Sequence, residues 1–389
     1  MKAEDVKKIT VVGSGDMGHG IAEVAAMAGY KVSMYDIKQE FVDKGMGKIK
    51  DSLTKQVTKQ KMTQDAMDKT MGLLAGFTSL KDALKDADFM IEAAPEIMEL
   101  KQKIFKECDE YAPKHTVLTS NTSNMSITKI ASVTKRPDKV AGLHFFNPVA
   151  MMTLVEVIRG EKTSNETMDV TFDLMKTWKN FRGAMVPIRV EKDTPSFVYN
   201  RLGAPAALYM SELLEKGVVT PEAADAKVKS IGVPMGPFET FDFVGLDVMY
   251  HSQEYLAGVL SPEYKPRSWL EKKMKAGELG KKTGKGLFDW SGGRPAIDVS
   301  KADPNFDPMD IICLQVNEGT KLLEAGVIKT PAEIDLAMVH GGGGIFGPFA
   351  LAKGMGWDKV AEKCEAVSKK TGIKQFMPTE TLKKGNITI

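Results

Sequence analysis

Hydrophobic and polar positions follow two patterns along this chain. Over residues 8–158, short apolar and β-branched runs recur at 9–12, 31–35, 89–92, 117–120, 140–144 and 154–158, each bounded by turn residues. Short continuous runs of this kind predict strands buried on both faces, as in a parallel sheet. Between them lie stretches of helical period. Residues 21–28 are alanine-rich and stop at Gly29, which closes helices well, and residues 38–70 are polar, lysine-rich and amphipathic. Strand alternating with helix is the βαβ signature of an α/β domain. The character changes over residues 187–196, where 189–191 and the Asp193-Thr194-Pro195 turn read as a linker. Beyond it the pattern is helical and rich in Ala, Leu, Met and Glu. Residues 277–295 read as a lysine- and glycine-rich surface stretch, and residues 299–308 as a second linker.

The helical region repeats itself. Leu213-Leu214-Glu215 and Gly217 recur as Leu322-Leu323-Glu324 and Gly326, Pro221 and Asp225 as Pro331 and Asp335. Gly236-Pro237-Phe238 recurs as Gly347-Pro348-Phe349, and Gly245 and Asp247 as Gly356 and Asp358. The offset drifts only from 109 to 111, which points to duplication of a helical domain. The expected organisation is an α/β domain over residues 1–188 and an all-α region of two repeated domains, 189–297 and 308–389.

Composition narrows the partners. With 53 Lys plus Arg against 51 Asp plus Glu, the net charge of +2 leaves no electrostatic footprint for nucleic acid. Three scattered cysteines and five scattered histidines show no metal-ligand spacing, so no metal is expected. No apolar run reaches the length of about 18 residues that a membrane span needs, and the first residues lack the apolar core of a signal peptide. A cytoplasmic protein without a membrane partner is expected.

The first glycine cluster carries chemistry. Gly13-Ser14-Gly15-Asp16-Met17-Gly18 fits GxGxxG between an expected strand and helix. Gly13 permits the tight turn, Gly15 lets backbone approach a pyrophosphate, and Gly18 lets helix and strand pack closely. Asp36 ends the second strand and suits a ribose diol while repelling a 2′-phosphate, which predicts a Rossmann-type domain binding NAD. A nicotinamide enzyme also needs a proton acceptor. No tyrosine is followed by lysine in a YxxxK pattern, and histidine with a carboxylate is the remaining common solution. His144 ends a predicted strand and Glu156 lies twelve residues on. Periodicity alone leaves His144 open as either a core histidine or a base.

The chain resembles the 3-hydroxyacyl-CoA dehydrogenase family in the 13–20 turn, Ser120-Asn121-Thr122-Ser123, His144-Phe145-Phe146-Asn147-Pro148, Leu154-Val155-Glu156, Asp193-Thr194-Pro195-Ser196-Phe197 with Asn200-Arg201, and Pro234-Met235-Gly236-Pro237-Phe238. The resemblance implies NAD-dependent interconversion of an L-3-hydroxyacyl-CoA and its 3-oxo form, (S)-3-hydroxybutyryl-CoA being the expected substrate. It implies His144 as general base, Glu156 as its orienting carboxylate, and Ser120 and Asn200 as hydrogen-bonding partners of the substrate oxygens. Gly13, Gly15, Asp16, Met17, Gly18, Asp36, Glu96, Lys101, Asn147 and Lys282 would contact the cofactor, and Ser52, Lys59 and Ser120 the acyl-CoA. Where the family commonly has glycine, this chain has Ser196, so the turn there is expected to differ slightly. Short relatives dimerise through a single helical domain; a covalent second copy predicts a monomer, with a homodimer as the alternative. Two other readings are a dehydrogenase of a non-CoA hydroxy acid and a non-catalytic, crystallin-like NAD-binding relative.

Overall fold

β1 (Lys8–Val12) leads through the glycine turn into α1 (Asp16–Met27) and returns as β2 (Lys31–Tyr35). In this computed structural model, residues 1–344 and 346–387 are described. The polar stretch that follows divides into α2 (Gln39–Thr58) and α3 (Gln64–Met71), and β3 (Leu74–Phe77) then pairs with β2. Next come α4 (Leu80–Leu84), β4 (Phe89–Glu92), α5 (Met98–Tyr111), β5 (Val117–Ser120) and α6 (Ile127–Ala131). β6 (Val140–Phe145), β7 (Leu154–Ile158) and α7 (Asn165–Lys176) complete the expected pattern. A small hairpin, β8 (Lys179–Asn180) and β9 (Gly183–Ala184), precedes β10 (Val186–Val190).

The main sheet has eight strands in the order β10-β7-β6-β5-β4-β1-β2-β3. Every neighbouring pair is parallel except β6 with β7. The connection from β6 to β7 holds no helix, and a connection that short cannot make a parallel crossover. The chain therefore turns back on itself at this one place. The order reverses between β1 and β4, which opens a crevice beyond their carboxyl ends.

Residues 189–190 of the expected linker are instead the end of β10, so the expected boundary at 188/189 falls inside a strand. Val186, Ile188 and Val190 alternate with Pro187 and Arg189, a pattern suited to an edge strand, where proline is tolerated. The structure divides into two compact units, one of residues 1–199 with 325–347 and the other of 200–324 with 348–389.

The second unit opens with most of α8 (Tyr199–Glu215), followed by α9 (Pro221–Ser230), α10 (Pro237–Val244), α11 (Leu246–Val259) and α12 (Ser268–Ala276). The repeat reappears as α13 (Met309–Glu324), α14 (Pro331–Gly342), α15 (Pro348–Lys353) and α16 (Trp357–Thr371), ending in α17 (Glu380–Lys383). Each copy keeps its punctuation: Gly217 and Gly326 both have φ 64°, and Gly245 and Gly356 both have positive φ. The copies are not two successive bodies, however. Arg201 Nε donates to Glu318 Oε1 at 2.6 Å and the Tyr209 hydroxyl to Asp310 Oδ2 at 2.9 Å, so α8 and α13 share one polar seam. The expected surface stretch 277–295 also contributes to this unit's interior: Phe288 and Trp290 are buried, and Trp290 Nε1 donates to Asp242.

Helix α14 leaves the other helical elements and packs on β7 and β10 of the first unit. Parallel strands need cover on both faces, and this helix of the second copy supplies it. His340 Nδ1 lies 2.8 Å from Thr153 Oγ1, just before β7. A Cβ on Gly341 would stand 2.6 Å from the Tyr199 ring and 2.7 Å from Leu154. Gly341→Val should therefore destabilise the protein by about 1–3 kcal/mol through overpacking, whereas Gly354→Ala, where a Cβ meets open space, should not. Urea unfolding of both variants checks this.

Candidate active site

His144 and Glu156 stand directly opposite one another across the antiparallel β6–β7 pair. His144 Nδ1 and Glu156 Oε2 are 2.6 Å apart. Glu156 has no exposed surface and His144 is buried. The other carboxylate oxygen, Oε1, accepts the backbone N–H groups of Val198 and Tyr199 at 3.0 and 2.9 Å. An ionised carboxylate acts only as acceptor, so the imidazole donates from Nδ1 and its Nε2 is left with a free lone pair. That is the tautomer a general base needs. Phe146 and Phe197 flank the ring, at centroid distances of 4.4 and 5.9 Å.

The turn at residues 193–197 delivers those two N–H groups. Asp193 Oδ2 accepts Ser126 Oγ at 2.6 Å and the Thr128 N–H at 2.8 Å, which anchors the turn. Ser196 and Phe197 then take φ of 63° and 52°. Ser196, where the family commonly has glycine, thus holds positive φ, and its Oγ lies 3.1 Å from Asn124 Oδ1. Two consecutive side chains held there cost conformational energy; the turn repays it by satisfying a buried charge.

Ser120 is fully buried at the end of β5, and its Oγ donates to Glu92 Oε2 at 2.5 Å. Glu92, which sequence reasoning missed, ends β4 beside it. Lys101 is 1% exposed, and its ammonium meets Glu92 Oε1 at 2.7 Å, the Ala94 carbonyl at 3.1 Å and Glu96 Oε2 at 3.3 Å. Two of its ammonium hydrogens go to Glu92 and the Ala94 carbonyl, and Glu96 is its second ion-pair partner. Lys101 holds Glu96, whose other oxygen accepts the Ser123 N–H at 2.7 Å and Thr122 Oγ1 at 3.0 Å. Asn147 is exposed just beyond β6. Asn200 and Lys282 belong to the second unit, where Lys282 pairs with Asp247.

A cleft of about 610 Å³ opens beyond β1 and β4, lined among others by Gly13, Gly15, Met17, Asp36, Lys44 and Lys48. Three observations fit a dinucleotide there. Gly13 has φ 106° with the Ala93 carbonyl against it, and a Cβ on Gly18 would stand 1.9 Å from the Gly13 oxygen, so the turn admits no larger residue at either place. A Cβ on Gly15 would meet nothing, which leaves open space where a pyrophosphate would come. Gly15 also caps α1 without any side-chain bond, so the first N–H groups of the helix face the cleft unsatisfied. Asp36 is fixed by the Ser14 N–H and by Ser14 Oγ, each 2.8 Å from its Oδ2. The Asp16 side chain is engaged by Lys48 Nζ at 2.6 Å, and that lysine holds its carboxyl below the usual range. Lys44 and Lys48, unremarked among the many lysines of α2, bring positive charge to the cleft.

A family model described as the 3-hydroxyacyl-CoA dehydrogenase NAD binding domain matches residues 8–194, and one for the C-terminal domain of the same family matches residues 197–290. The chain belongs to the 3-hydroxyacyl-CoA dehydrogenase family. It is an NAD-dependent oxidoreductase. A probable 3-hydroxybutyryl-CoA dehydrogenase of Bacillus subtilis is 40% identical over 288 residues, which cover 74% of this chain and 98% of that protein. A 3-hydroxyadipyl-CoA dehydrogenase of Escherichia coli is 37% identical over 79% of this chain and 64% of its own length. A crystal structure of a 3-hydroxybutyryl-CoA dehydrogenase from Escherichia coli superposes with a TM-score of 0.89 at 29% identity, covering 97% of this chain and 98% of that one. That similarity extends through the second helical copy of this dehydrogenase.

Of the three residues expected at the acyl-CoA, Ser120 is buried against Glu92, and Lys59 is exposed at the end of α2. Ser52 is committed elsewhere: its hydroxyl donates to Glu23 Oε1 of α1 at 2.7 Å. Burial pushes the Glu23 carboxyl up from 4.5 to about 7. A carboxyl raised on folding takes up a proton in the native state, so stability falls as pH climbs from about 4.5 to about 7. Glu23→Gln removes this loss. The variant should exceed the parent in stability by about 2–3 kcal/mol at pH 8, with the gap closing toward pH 4; urea unfolding across that range checks it.

Proposed function

We propose that this dehydrogenase interconverts (S)-3-hydroxybutyryl-CoA and acetoacetyl-CoA, with His144 as the proton acceptor. The observation that carries the reading is the buried His144–Glu156 pair, whose Nδ1 contact leaves Nε2 free to take a proton. The names of the relatives from Bacillus subtilis and Escherichia coli support a four-carbon substrate. NAD, when bound, accepts the hydride from C3. His144 Nε2 takes the hydroxyl proton as the C–O bond becomes a carbonyl, and Glu156 stabilises the imidazolium that results. In reduction the same nitrogen returns the proton to the alkoxide oxygen. Phe146 and Phe197 exclude water from the ring. Asn200, which opens the second unit's part of α8, supplies an amide for the substrate oxygen, and Lys59 a charge for CoA phosphate.

His144→Gln should lower kcat by about 10²–10⁴ while leaving NADH binding unchanged; full activity in that variant rejects the assignment. Steady-state kinetics with acetoacetyl-CoA should show preference for NADH over NADPH, and Asp36→Ala should narrow it by removing the carboxylate that repels a 2′-phosphate. Light scattering should give the mass of a single chain, because α13 and α15 to α17 already cover the first helical copy within one molecule.

A further inference from the structure

Helix α2 is docked directly on the glycine turn. A Cβ on Gly45 would stand 2.9 Å from both the Cβ and the carbonyl oxygen of Ser14, so the helix approaches the turn as closely as a glycine allows. Ser14 Oγ also lies 2.8 Å from the Phe41 carbonyl. Lys44 and Lys48 are four residues apart, which places them on one face of α2, and both line the cleft. The charged side chains lining that cleft are these two lysines and the acids Asp16 and Asp36.

Asp16 is the first residue of α1, directly after the uncapped Gly15. An acid suits a helix N-terminus on its own, but here it stands among the N–H groups that face the cleft, where it repels an incoming phosphate. Lys48 Nζ meets Asp16 Oδ1 at 2.6 Å and cancels that charge. The pair is too exposed to matter much for folding, with Asp16 80% and Lys48 37% exposed in their side chains. One ammonium hydrogen is engaged by Asp16 and an ammonium carries three. Lys48 is thus held by an acid at the mouth of the helix with donors to spare.

We infer that Lys48 is a further cofactor-binding residue, a ligand of the NAD pyrophosphate supplied by α2 from outside the glycine turn and aligned by Asp16. The backbone N–H groups at the start of α1 and the Lys48 ammonium then approach the phosphates from two elements, and Lys48 offsets both the cofactor's charge and that of Asp16. The assignment rests on the cleft as the NAD site and not on the role of His144.

The test is ligand binding to the full-length protein, with NADH followed by its fluorescence and ADP-ribose and adenosine as competitors. ADP-ribose carries the pyrophosphate and adenosine does not. Lys48→Ala should weaken NADH and ADP-ribose about three- to tenfold, the scale of a partly exposed charge pair, and leave adenosine unchanged. Lys48→Arg should keep ADP-ribose within about twofold of the parent. The dependence of ADP-ribose binding on salt should be shallower in Lys48→Ala, since one screened attraction is gone. Asp16→Asn should tighten ADP-ribose more in the Lys48→Ala background than in the parent, where the acid is already neutralised. Unchanged ADP-ribose binding in Lys48→Ala, or equal weakening of ADP-ribose and adenosine, overturns the inference. An equal effect of Asp16→Asn in both backgrounds overturns the alignment by Asp16. If Lys48→Ala does not fold, Lys48→Gln enters the same series. No arm of the test uses turnover, so an active His144→Gln rejects the base assignment and leaves this result standing.

Discussion

A carboxylate with no exposed surface is tolerable only if its oxygens are occupied by donors, and Glu156 meets that condition with one imidazole and two backbone N–H groups. Much of the first unit is arranged around it. β7 runs antiparallel to β6 and so brings His144 and Glu156 face to face. The chain beyond β10 takes a left-handed turn at Ser196 and Phe197 to aim its N–H groups back at Oε1. Helix α14 then closes over Leu154 and Tyr199, which lie on either side of the carboxylate in sequence. The His144 ring keeps its orientation because its partner is held in place by backbone N–H groups.

The same device recurs along the carboxyl edge of the sheet. Asp36 after β2 is gripped by the Ser14 N–H, Glu92 at the end of β4 by the Ala94 N–H, and Asp193 by the Thr128 N–H. Glu92 and Asp193 are each held by main chain through one oxygen, and Asp36 through both, from Ser14 on Oδ2 and Ile37 on Oδ1. What remains is directed at a partner: a serine, a lysine or the open cleft. The uncapped start of α1 complements these acids, offering N–H groups where they offer oxygens. The cleft thus carries both kinds of hydrogen-bonding partner that a dinucleotide presents, anionic phosphates and ribose hydroxyls.

Duplication of the helical region changes how the fold is completed. One helix of the second copy covers β7 and β10, and α13 of that copy shares a polar seam with α8 of the first. The repeated sequence is therefore distributed between the two units and does not form a third body. Local punctuation is conserved between the copies, because capping glycines and N1 prolines act within a turn or two, whereas the destination of each helix depends on which apolar face it must cover.

The strand runs, the glycine turn, Asp36 and the helical repeat were legible in the amino-acid sequence, because period, turn chemistry and motif spacing are local properties; the pairing of His144 with Glu156 was implied by the family resemblance and is formed across β6 and β7. β10 was not, since a half-polar edge strand beginning Val186-Pro187 has the composition of a linker. Nor were the commitments of Ser52 to Glu23, of Ser120 to Glu92 and of Lys101 to three acceptors. A side chain's donors and acceptors are assigned by whatever stands opposite them across strands and helices distant in sequence. That assignment is made only when the sheet order and the packing of the helices are in place. The sequence by itself determined where strands, turns and motif residues fall; the tertiary structure decided what stands opposite each side chain, and so which of its hydrogens and lone pairs are occupied.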